Sequence, residues 1–104
     1  MNFEIWRAIK QHKEAEELYL LTCTFSNENG LTGQTWFLFE DEDLAKATID
    51  ASNECYESAF DDFSIDEESD DGRRIKVSYS GDHDIEILYK IRKVKWLNNT
   101  RELL

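Results

Sequence analysis

Fourteen carboxylates fall between residues 40 and 71 of this 104-residue chain, against one base, Lys46. Carboxylates at that density could bind calcium, run acid–base catalysis or face a basic partner. A calcium loop of the EF-hand type needs acids at its first, third and fifth positions, Gly at the sixth and a bidentate Glu at the twelfth. With Gly72 at the sixth position, Glu67, Ser69 and Asp71 take the ligand places, but Ser78 stands where the Glu is needed. The pattern predicts a solvated acidic loop. Cys23, Cys55, His12 and His83 have neither a CxxC nor an HxxxH partner, so no zinc site is expected either. No metal or other cofactor is therefore expected.

Catalysis is hardly better supplied. An acid–base pair needs one carboxyl raised by an apolar pocket, and acids spread over a helix face and a loop are solvated by water. Cys23 has no histidine nearby in sequence. Cys55 falls on the apolar stripe of a helix beside Tyr56, where burial would hold the thiol protonated and inert. With neither a Gly-rich phosphate loop nor a nucleophile elbow, the chain reads as a non-enzyme. The two cysteines are expected as free, half-buried thiols, consistent with a cytoplasmic protein lacking a basic, apolar leader at Met1–Arg7. No apolar run approaches the roughly 20 residues of a membrane helix.

Charge carries the remaining information. Residues 1–39 sum to −2, residues 40–71 to −13 and residues 72–104 to +4, within a net −11. Such segregation speaks of partners more than of fold. Candidate partner-binding residues are Glu40, Asp41, Glu42 and Asp43, then Asp50, Glu54, Glu57 and Asp61, then Asp62, Asp66, Glu67, Glu68, Asp70 and Asp71. A surface of this sign repels nucleic acid and attracts basic proteins. Arg73, Arg74 and Lys76, with Lys90, Arg92, Lys93 and Lys95, could form a basic stripe. They read better as balancing the acids within the fold, or as docking a second subunit's acids.

These residues must be positioned by a single domain of class α+β. Leu18–Phe25 alternates Tyr19, Leu21, Cys23 and Phe25 on one face, and Gln34–Phe39 is apolar on both faces, which suits a central or covered strand; together they predict a hairpin. Residues 41–60 predict a helix. Acids crowd its first turn, and Leu44/Ala45, Thr48/Ile49, Ser52, Cys55/Tyr56 and Ala59/Phe60 form a buried stripe. Residues 62–72 predict an acidic loop with Phe63 and Ile65 as anchors. Arg73–Tyr79 and Asp84–Trp96 predict a second hairpin, and a change of parity after Ile91 points to a bulge near Arg92-Lys93 or an extension packed on something else. Residues 3–17 suit strand or helix, and the alternation of Phe3 and Ile5 favours a strand at 2–10. The resulting order is β-β-β-α-β-β, an antiparallel sheet of four to five strands with one amphipathic helix packed on it.

In size and acidity the chain resembles the small phage and mobile-element inhibitors of host nucleases, of anti-CRISPR and anti-restriction type, several of which mimic DNA. The resemblance is compositional, spans the whole chain and rests on no motif. It implies an acidic inhibitor that occludes the basic nucleic-acid-binding surface of a partner such as a Cas nuclease. An immunity protein against a nuclease toxin would use the same acids, and a structural or adaptor subunit, including a homodimer, is the reading from a different class.

Overall fold

The computed structural model describes residues 3–11, 17–27, 30–79, 82–97 and 100–103. The expectations for His12, for the stretch 14–16 and for the turn residues 28–29 and 80–81 lie outside these. The described chain is a six-stranded antiparallel sheet carrying an eighteen-residue helix, an α+β fold. In order, the elements are α1 (Phe3–Gln11), β1 (Leu18–Asn27), β2 (Gly30–Phe39), α2 (Glu42–Ala59), β3 (Asp62–Ser69), β4 (Gly72–Tyr79), β5 (Asp82–Leu97) and β6 (Thr100–Leu103). Across the sheet the strands run β2-β1-β5-β4-β3, with β6 pairing the far end of β5.

Both expected hairpins form, β1 with β2 and β4 with β5, and the helix at 41–60 forms as α2 with Asp41 as N-cap, its carboxylate accepting from the Asp43 amide at 2.9 Å. On one face of the sheet, Tyr19, Leu21 and Cys23 of β1, Ile75 and Val77 of β4 and Ile87, Tyr89 and Ile91 of β5 close over Ala45 and Ile49 of α2. Burying each large apolar side chain contributes about 1.5–3 kcal/mol, so this layer supplies most of the core.

Two expectations are corrected, and two others are resolved between the alternatives they left open. Residues 3–11 are helix, not the strand expected at 2–10. Ile5 and Ile9, one helical turn apart, bury against Leu18, Leu20 and Val94 on the second face of the sheet, with Trp36 and Leu38 packed alongside. A strand there would have covered less of that face, whereas a helix stripe fits it. The same packing explains the parity change in β5. Its pairing with β1 runs without interruption from Ser26↔Glu86 to Leu18↔Val94, so there is no bulge at Arg92-Lys93. Ile91 packs under α2 and Val94 under α1. Residues 62–69 are a strand rather than a loop, because β3 sets Phe63 opposite Val77, Ile65 opposite Ile75, and Glu67 and Glu68 opposite Arg74 and Arg73. Opposite charges directly across an antiparallel pair favour the ladder. Finally, β2 is covered rather than central: it lies at the edge of the sheet, with Trp36 and Leu38 packed on one face and Phe39 on the other.

Candidate binding surface

All fourteen candidate acids are exposed. The fold sorts them into groups. Glu40 to Asp43 gather at the start of α2, where unpaired backbone N–H groups and the helix dipole favour negative charge. Asp50, Glu54 and Glu57 line one flank of α2, roughly 4.5–6 Å apart in rise, and Asp61 lies just beyond the end of the helix. That flank faces β4, since Asp50 reaches Arg73 at 3.0 Å. The same guanidinium donates to Glu68 of β3 at 2.6 Å. Arg73 is therefore the joint between helix acids and strand acids, held with its side chain only 15% exposed.

The other sheet face carries a second set. Arg74 pairs with Glu86 and lies 3.6 Å from Glu67, and the Glu86 contact holds its guanidinium firmly protonated. Asp62 accepts from the Ser78 hydroxyl at 3.3 Å and Asp66 from Ser64 at 3.0 Å. Asp66 is the extra residue where the β3–β4 register shifts between Ile65 and Glu67. Asp70 and Asp71 form the β3–β4 turn, and the Ser69 hydroxyl donates to Asp71 at 2.9 Å.

The acidic trail, unbroken in sequence, is thus interleaved with bases in space. Arg73 and Arg74 pair with acids of their own chain, as the balancing role expected of the basic hairpin requires. Among the described residues no base comes within ion-pair distance of Glu54, Glu57 or Asp70. Asp43, whose carboxylate likewise has no base within reach, joins these three as the acids most available to a partner.

A groove of about 860 Å³ opens between the start of α2 and the β3–β4 turn, lined by Glu42 and Asp71 on its walls and by Tyr19, Lys90, Arg92 and Lys93. Glu17 bonds both the Tyr19 hydroxyl, at 2.7 Å, and the Lys93 ammonium, at 2.9 Å. It thereby raises both groups above their ordinary values. A lysine or tyrosine poised as a base at neutral pH must be shifted the other way. Glu17 thus favours the protonated form of both groups.

The cysteines differ from expectation. Both are free, but Cys23 is buried and Cys55 exposed. Burial raises the Cys23 thiol. The stripe of α2 that meets the sheet is Ala45, Ile49 and Asn53, with Tyr56 and Phe60 half-buried, so it is rotated from the one expected. Leu44 is 56% exposed, and Asn53, outside the stripe expected to be buried, is buried with its Oδ1 unpartnered. Sequence periodicity missed Asn53 because a polar residue carries no apolar signal. Among the described residues no cluster of acids, histidines and cysteines could hold a metal ion, and no helix is long and apolar enough to cross a membrane. No family model matches the chain, and neither does any curated protein or solved structure.

Proposed function

We propose that this chain is a non-catalytic, cytoplasmic inhibitor that lays its acidic flank into the basic nucleic-acid-binding groove of another protein, a host nuclease being the target class. One observation carries the reading. Every carboxylate of the −13 segment stands exposed, and Asp50 of α2 and Glu68 of β3 are drawn together through Arg73. Clustering like charges costs stability. A groove built for phosphates, with one charge about every 3.4 Å along each strand, compensates for that cost on binding. Long-range attraction speeds the encounter, and Ile65, 47% exposed among the acids of β3, offers an apolar anchor of the kind that gives interfaces their specificity.

The test replaces only acids that hold no internal arginine: Glu54→Gln, Glu57→Gln, Asp66→Asn and Asp70→Asn together. Asp50, Glu67 and Glu68 stay, since changing them would strand Arg73 or Arg74. Intact protein and variant are used to capture partners from bacterial lysate, and duplex DNA is then added as competitor. The expected result is a nucleic-acid enzyme held by the intact chain, released by DNA and lost with the variant. Equal capture by both forms, or capture indifferent to DNA, overturns the proposal.

A further inference from the structure

The two edges of the sheet are opposites. β3 carries Asp62, Asp66, Glu67 and Glu68 along eight residues and is kinked by a register shift, two of the devices by which edge strands avoid pairing with other chains. β2, at the other edge, is ten residues long, GLTGQTWFLF, without one charge or proline. Among the described residues nothing pairs with its outer side.

Those outer groups can be assigned. The Ile91 amide donates to the Asp71 carbonyl, away from β1. Alternation along an antiparallel ladder and the pairs Leu21↔Ile91 and Leu21↔Phe37 then point the Phe37 backbone inward. The N–H and C=O groups of Gln34, Trp36 and Leu38 point outward. Beside this edge lies the uncharged flank of α2. Asp50 faces β4, so the opposite flank faces β2, and there Leu44, Ala47, Ala51 and Cys55 are exposed around a shallow groove of about 460 Å³. Phe37, 48% exposed, stands on the same sheet face.

From this we infer that β2 is the interface of a homodimer, pairing antiparallel with β2 of a second copy to make one continuous sheet. Charge selects the occupant. A chain of net −11 repels its own kind, yet residues 30–39 carry no charge, and antiparallel contact through β2 sends the β3 acids of both copies to the outer edges of the joined sheet and the two Glu40–Asp43 clusters to opposite ends of the shared ladder. A head-to-tail assembly of basic hairpin on acidic face would have to break the pairs of Arg73 and Arg74. The two-fold axis stands perpendicular to the sheet, so both α2 helices lie on one face with Phe37 of each copy between them. None of this depends on what the acidic edge binds.

Sedimentation of the intact chain should show a species of twice 12.3 kDa that persists when salt is raised. Hydrogen exchange should slow in β2, and not in β3, as concentration increases. Thr35→Lys with Phe37→Lys should give a monomer. Gln34→Pro removes an outward N–H and no bond within the chain, and it should do the same with circular dichroism unchanged and with thermal unfolding like that of the intact chain diluted to its monomer. A monomer at every concentration, a dimer dissolved by salt, or a dimer indifferent to both variants overturns the inference. A monomer whose β2 is protected only by another protein's strand would assign the edge to that partner instead.

Discussion

Asn53 is the residue whose surroundings suit it least. It sits in the centre of α2 with 7% of its surface exposed and its Oδ1 without a partner. A buried, unpaired acceptor costs about 1–3 kcal/mol, and Asn is a weaker helix former than Ala by several tenths. Asn53→Ala should therefore raise stability by about 1 kcal/mol, set against a small loss of packing. Urea unfolding would check it, and a fall in midpoint would mean that Asn53 holds something the chain needs. Arg73 shows the reverse situation, a cation with two acids across two elements. Neither was legible beforehand, because a buried Asn and a bridging Arg are defined by what lies across space from them.

At the scale of elements, the β3–β4 hairpin shows what local composition hides. Six acids or serines among the eight residues 62–69, broken only by Phe63 and Ile65, read as a loop when taken alone. The pairing that makes them a strand comes from Arg73, Arg74, Ile75 and Val77 on the partner. The hairpin needs its glycine too. A Cβ on Gly72 would stand 2.6 Å from the Tyr89 carbonyl oxygen, which is backbone and cannot step aside. Gly72→Ala should cost about 1–3 kcal/mol, in the range of overpacked sites, and should loosen β3 before it loosens β1. Amide exchange measured strand by strand would show this; uniform exchange across the sheet would contradict it. The alternation of β1 and β5 and the span of α2 were legible, since burial on one face leaves a period in the sequence, although the buried stripe of α2 is rotated from the one expected. For α1, nine residues with Ile5 and Ile9 fit either period, and only the apolar second face of the sheet decided between them.

Across the whole molecule the dominant feature is the distance between unlike edges. Four strand spacings separate β2 from β3, about 19 Å, in a body measuring 51 × 27 × 19 Å. The sixteen residues of β5 account for the long dimension, at about 53 Å when extended. With net −11 and fourteen exposed acids in one segment, self-repulsion should outweigh the exposed ion pairs, each worth little. Salt should therefore stabilise the fold. Between about 0.02 and about 0.5 M NaCl, over which screening shortens from tens of ångströms to a few, the melting temperature should rise by about 5 °C, or about 1 kcal/mol for a domain this size. A fall would mean that the pairs of Arg73, Arg74 and Lys93 matter more than repulsion.

By itself the sequence determined the α+β class, the two hairpins, the acidic helix and the exposure of all fourteen candidate acids. These follow from periodicity, turn residues and charge, which act along the chain or against water alone. Tertiary structure decided the rest: that residues 3–11 are helix, that the acidic segment is a paired strand, that Arg73 ties helix acids to strand acids, and that an uncharged strand forms the opposite edge. Each depends on which surface lies opposite, a quantity set by the order of strands in the sheet, and no local pattern encodes that order.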